Sequence, residues 1–171
     1  MKIKNVEQRS KEWFEMRLGV ITGSRVGNIF KSNNVPFVYE LIAERLSGDI
    51  QESPTTAAMM HGIMMEPVAL DEYRMRTNAD GGVEIKCPST KKHIEYIAGN
   101  KVPAQYKHQV MHYFLIVDSI QWVDFVSFDP RISKNLFIFR VHRDDPDVAL
   151  DLEMRKMEYL KFWDKLKKYE N

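Results

Sequence analysis

Apolar residues recur along this chain in two rhythms, and each rhythm predicts its own elements. Between Val83 and Cys87 the pattern alternates. Val83, Ile85 and Cys87 fall on one side and Glu84 and Lys86 on the other, which predicts a short strand stopped by Pro88. Ile120 to Phe128 and Leu136 to Val141 are dense in β-branched and aromatic residues. They predict two more strands, antiparallel and about a hairpin's distance apart.

The second rhythm, apolar positions three and four apart, predicts helices. Ser10 caps a short one with Trp13 and Phe14 inward, ended by Gly19. Thr22 or Ser24 caps the next, running to about Phe30. A helix over about Val38 to Leu46 carries Leu41, Ile42, Ala43 and Leu46 and stops at Ser47-Gly48. Ser53-Pro54-Thr55 opens a long helix to about Thr77, lined by Ala57, Met60, Met64, Val68, Leu70 and Tyr73, with a kink or break expected at Pro67. Ser89 or Thr90 caps a helix to about Ala98. Ala104 to about Val117 is the next, with Tyr106, Gln109, Val110, Tyr113 and Val117 on one face. Asp145 caps a terminal helix that has Pro146 at its first position. Leu150, Leu152, Met154, Met157, Leu160, Phe162, Trp163 and Leu166 give that helix a broad apolar face.

Composition narrows the class. The chain has 171 residues, 44% hydrophobic and 29% charged, a profile expected of one globular domain spanning 1–171. Its net charge of +1 gives no global attraction to nucleic acid, so a basic surface has to be local. Cys87 is the sole cysteine, which rules out an internal disulfide and points to a reducing compartment. No apolar run has the length of a signal peptide or of a membrane span, so a cytoplasmic protein is expected.

Three groups of residues could carry chemistry. Glu84 and Lys86 share a strand face and read either as a surface salt bridge or, with Glu66, as a metal site beside a cation. Carboxylates and the Ile85 carbonyl are oxygen donors of the kind that suit Mg2+. A metal there would activate water and stabilise charge on a phosphoryl oxygen, which is the chemistry of phosphodiester hydrolysis. Gln109 lies on an inward stripe and is either a structural bridge or a site residue. The Thr22 or Ser24 hydroxyl, with a nearby arginine at a helix start, reads either as an anion site or as a capped corner. The five histidines show no zinc spacing, and no phosphate-binding glycine loop or nucleophile elbow is present.

Four stretches, taken in order, resemble one family. They are Trp13 to Ser24, containing Arg17-Leu18-Gly19-Val20-Ile21-Thr22-Gly23-Ser24; His61-Gly62 to Glu66-Pro67; Glu84-Ile85-Lys86-Cys87-Pro88; and Tyr106 to Gln109-Val110. The chain resembles the lambda-exonuclease-like (YqaJ-type) viral recombinase nucleases. The resemblance implies an α+β, restriction-endonuclease-like PD-(D/E)xK core, a central mixed sheet flanked by helices. It implies that Glu66 and Glu84 bind metal with the Ile85 carbonyl, that Lys86 is the catalytic lysine, and that Gln109 is the site glutamine with Tyr106 nearby. Arg17 and Ser24 are similar to the family's pair that holds the terminal 5′ phosphate. The implied cofactor is Mg2+, or Mn2+ in its place.

The implied activity is exonucleolytic digestion of one strand of duplex DNA from its 5′ end. Duplex DNA ends are the implied substrate, a single-strand annealing protein the partner and a homotrimer the assembly. The setting is the cytoplasm of a bacterium carrying a phage or prophage. The chain departs from the family before Glu84. A strand and a Ser-Pro-Asp-Gly-like turn, whose aspartate bridges the metals, are missing, and only Asn78 to Gly82 stands there. Asp80 either replaces that aspartate or belongs to an ordinary Asp-Gly turn. The alternative function is a catalytically impaired DNA-end-binding or assembly module of the same fold.

Overall fold

A computed structural model describes residues 6, 7, 9–49, 55–77 and 81–170. Asp80 and the expected helix start at Ser53 lie outside the described residues. In chain order the elements are α1 (Lys11–Glu15), a 3₁₀ turn (Val26–Phe30), α2 (Val35–Ser47), α3 (Ala57–Thr77), β1 (Gly82–Lys86), α4 (Thr90–Gly99), α5 (Ala104–Ile116), β2 (Trp122–Phe128), β3 (Leu136–His142) and α6 (Pro146–Glu170). They fall into two compact units. One is Pro54–Met154. The other joins Met1–Ser53 to Arg155–Asn171, so α6 contributes to both.

The unit 54–154 holds the sheet, ordered β1-β2-β3 among the described residues. β1 pairs parallel with β2, and β2 pairs antiparallel with β3, so the sheet is mixed as expected. The alternation in the sequence sorts the side chains. Val83, Ile85 and Cys87 pack with Val126, Phe128, Ala69 and Tyr73 on the face that α3 covers. Val123, Phe125 and Phe137 pack on the other face with Tyr96 of α4 and Val110, Met111 and Phe114 of α5. Each such buried side chain contributes about 1.5–3 kcal/mol. Asp124 is fully buried between α3 and the sheet. It accepts two hydrogen bonds from Arg140, both 2.8 Å, and one from the Tyr73 hydroxyl, 2.7 Å. That meets the requirement that a buried charge be paired.

Several local expectations change. α3 starts after Thr56, whose hydroxyl accepts from the Met59 N–H, and it runs through Pro67 unbroken. Of its expected apolar lining, Tyr73 is buried and Leu70 half-buried, whereas Met60, Met64 and Val68 are exposed. The helix turns Ala69 and Tyr73 to the sheet, and the methionines fall outside that narrow stripe. On α6, Leu152, Phe162 and Leu166 are buried, but Leu150, Met154, Met157, Leu160 and Trp163 are exposed. Ser10 and Asp145 do cap their helices. Ser89 sits at the α4 N-cap without a side-chain bond.

In the other unit, α2 buries Phe37, Val38 and Leu41 against Val26, Ile29, Phe162 and Leu166. Its buried face also includes Glu44, while Leu46, expected inside, is 83% exposed. The buried positions 37, 41 and 44 lie four and three apart, on a stripe that Leu46 misses. Trp13 and Phe14 of α1 are half-buried and meet edge to face, with centroids 4.9 Å apart.

Candidate functional site

The period of two along β1 puts Glu84 and Lys86 on the same side of the sheet, facing α5. The Lys86 Nζ lies 2.5 Å from Glu84 Oε1 and 5.1 Å from the centre of the Tyr106 ring. The Tyr113 hydroxyl donates to Glu84 Oε2 at 3.1 Å. Both oxygens of this carboxylate, 9% exposed, are therefore engaged. The ion pair of the simpler sequence reading exists, but it sits half-buried under a helix, not on an open surface.

α5 supplies the opposing wall. Tyr106, Gln109 and Tyr113 fall three and four residues apart on one half-buried face, while Val110, Met111 and Phe114 fill the core beside it. Gln109 thus stands between the two tyrosines on the face that meets β1. Tyr113 was legible only as one of the apolar stripe. Its place four residues after Gln109 on that stripe is the signal that marks it as a site residue. Burial, then the charge and hydrogen bond of Glu84, then the charge of Glu66, push the Tyr113 hydroxyl well above its ordinary value. It stays a proton donor across the physiological range.

Glu66, half-buried on α3, is close enough for its charge to be felt by both Tyr113 and Cys87. Burial first, and Glu66 second, raise the Cys87 thiol to about 11. On the same helix the His61 Nε2 is buried with no hydrogen-bond partner among the described residues. Glu66, Glu84, Lys86, Tyr106 and Tyr113 thus converge, and Ile85 lies in the strand between the two charged residues.

The donors of this cluster fit a hard cation. Glu84 and Glu66 offer carboxylate oxygens and Ile85 a carbonyl. Mg2+ keeps several waters and takes one or two protein carboxylates. Among the described residues no three His, Cys, Asp or Glu side chains gather into a metal cage.

Arg17 and Ser24 form a second cluster, in the unit made from the chain's two ends. The Arg17 guanidinium stacks over Trp13, 4.1 Å from the ring centre. One of its nitrogens donates to Ser24 Oγ at 3.2 Å and to Thr22 Oγ1 at 3.3 Å. The two hydroxyls are 3.3 Å apart. Neither Thr22 nor Ser24 caps the helix that follows. The following helix is a five-residue 3₁₀ turn whose N-cap is Arg25, with no side-chain cap. Thr22 and Ser24 serve Arg17 instead, so the candidate anion site consists of side chains and does not draw on a helix end.

A parallel strand pair with an E-x-K strand at its edge and helices on both faces is the restriction-endonuclease-like fold, here in shortened form. The sequence model of the YqaJ-like viral recombinase domain matches residues 12–82 and 76–119, more than half of the chain, and the chain belongs to that family. The two matched stretches overlap at 76–82. Among solved structures, the alkaline exonuclease LHK-Exo from Laribacter hongkongensis is similar at 29% identity and a TM-score of 0.76, over 94% of this chain and 96% of that one. A second structure, LHK-Exo in complex with dAMP, is similar at 28% identity and a TM-score of 0.75, with the same coverage. No curated protein matches.

Proposed function

We propose that this chain is a Mg2+-dependent DNA exonuclease of phage recombination type, digesting one strand of a duplex from its 5′ end. The observation that carries the reading is the half-buried cluster of Glu84, Lys86, Tyr113 and Glu66. The likeness to an alkaline exonuclease, one of whose structures includes a nucleoside monophosphate, supports it. Glu84, Glu66 and the Ile85 carbonyl hold the metal, with Asp80 as a further candidate ligand. When bound, the metal supplies charge neutralisation and a water of lowered pKa.

The chain's own residues do the rest. Tyr113 fixes the rotamer of Glu84 by donating to Oε2. Lys86, braced by Glu84 and the Tyr106 ring, orients the attacking water and takes up charge on the phosphoryl oxygens. Gln109, on the α5 face, orients the scissile nucleotide. Water adds to phosphorus and gives up a proton to solvent, the P–O3′ bond breaks, and the 3′ oxygen leaves with a proton from solvent. The new end of the strand again carries a 5′ phosphate. Arg17 and Ser24 bind that phosphate, since a planar guanidinium beside a hydroxyl matches its oxygens.

The proposal treats residues 1–171 as one nuclease domain, with duplex DNA ends as substrate, a single-strand annealing protein as partner and a homotrimer as the assembly. Its setting is the cytoplasm of a bacterium carrying a phage or prophage. No described helix is long and apolar enough to cross a membrane. The test is to incubate the protein with Mg2+ and 5′-phosphorylated linear duplex. Mononucleotides appear if the reading is right. An intact duplex at high protein concentration, with a related exonuclease digesting alongside, overturns it.

A second reading rests on the missing strand and its acid. In it, the chain is an impaired module that binds DNA ends without cutting. Lys86→Ala separates the two: it silences a nuclease and leaves a non-cutting end-binding module unchanged.

A further inference from the structure

We infer that Glu44 is a positioning residue for the phosphate clamp, setting the loop that presents Arg17, Thr22 and Ser24. The inference rests on the reading of Arg17 and Ser24 as a 5′-phosphate site. Glu44 is 1% exposed, an unusual place for a carboxylate on a surface helix. Its partners explain it. Oε1 and Oε2 each accept from Arg25, both at 2.9 Å, in a two-pronged pair. Oε2 also accepts from the Gly19 backbone N–H at 2.9 Å.

Those two partners bracket residues 20–24, which carry Thr22 and Ser24, and the first of them lies just past Arg17. Gly19 follows Arg17 by two residues, and Arg25 follows Ser24 by one. Glu44 therefore grips the loop just after Arg17 and just after Ser24 at once. Arg25 reinforces the grip by donating to Glu40 at 2.8 Å and to the Val20 carbonyl at 3.2 Å. The next residue of α2, Arg45, donates to the Gly19 carbonyl at 3.0 and 2.8 Å. Gly19 lies at a φ of +61°, and a Cβ there would collide with the Arg45 side chain. The loop thus folds onto one carboxylate and one guanidinium of α2.

The geometry assigns Glu44 a specific consequence. Arg17 meets Thr22 and Ser24 only while the loop is closed on itself, and the closure is set at those two points. Loosening them separates guanidinium from hydroxyls and costs phosphate recognition before it costs the fold. A group with a purely structural role would instead lower the amount of competent protein and weaken all DNA binding alike.

The experiment measures affinity for duplex ends bearing a 5′ phosphate or a 5′ hydroxyl, by fluorescence anisotropy, and takes the ratio. Hydrogen bonds to a charged group predict a preference of about tenfold or more for phosphate in the unaltered chain. Glu44→Gln keeps the shape but cannot accept from all three donors, and it brings the ratio close to one in folded, monodisperse protein. If that variant does not fold, the pair Arg25→Met with Glu44→Leu removes both charges while keeping apolar volume, and the same fall is expected. A folded variant that retains the original ratio overturns the role of Glu44. Arg17→Ala is the control. If it too leaves the ratio unchanged, the phosphate site itself is wrong. If it abolishes the preference while the Glu44 variants keep it, the positioning role alone fails.

Discussion

Tyr113 and Glu84 form the contact on which the proposed chemistry turns. Tyr113→Phe removes one hydrogen bond to a buried carboxylate, worth about 1.5–3 kcal/mol for a charged acceptor. We expect cleavage to fall by about tenfold or more with duplex binding retained, read from single-turnover digestion alongside a binding titration. Lys86→Ala is expected to lower cleavage by at least about a hundredfold, as loss of a charge-stabilising donor does. Glu84 and Lys86 were legible because strand alternation puts i and i+2 on one face whatever the tertiary structure. Tyr106 and Gln109 were legible from the matching rule for helices. Glu44 was not, because a glutamate among charged neighbours on a helix is ordinarily solvated. The overlooked signal was its spacing: Glu44 lies three residues after Leu41 and seven after Phe37, on the buried stripe itself.

At the scale of elements, α2 shows where pattern reading succeeds and where it slips. Its existence and its glycine stop were plain, and Gly48 does end it in the left-handed conformation. Its inward face leaves out Leu46, which spacing alone places inside. Leu41→Ala is expected to cost about 2–5 kcal/mol of stability, and Leu46→Glu close to nothing, both measured by urea unfolding. Gly19→Ala is expected to destabilise the 17–25 loop, because alanine both resists a positive φ and collides with Arg45. A melting temperature lowered by several degrees, together with a weakened phosphate preference, checks it. The α3 stripe failed for a different reason. Spacing shows which residues share a side of a helix, but not how wide a strip the sheet covers.

For the molecule as a whole, the mixed sheet and its flanking helices followed from local rhythm, while the division into two units did not. That division depends on which distant segments meet, and no local pattern encodes it. Acid stability is one whole-molecule property with a named source. Burial alone would raise the Asp129 carboxyl, but hydrogen bonds from Arg131 and Thr90 prevail and hold it at about 2, below its ordinary 3.8. The unfolded chain then takes up this proton first. The contribution is complete above about pH 4 and lost as the pH falls toward 2. Arg131→Ala is expected to move the acid-unfolding midpoint upward, read by circular dichroism.

The division also sets an order of assembly. Residues 54–154 are contiguous and bring their own core, so every partner in that core leaves the ribosome before residue 155 does. The core of the other unit has to wait, because Val26, Ile29, Val38 and Leu41 pack against Phe162 and Leu166, which are synthesised after residues 54–154. The segment that carries the proposed phosphate clamp, although made before residues 54–154, waits with its apolar face uncovered until the final turns of α6 arrive.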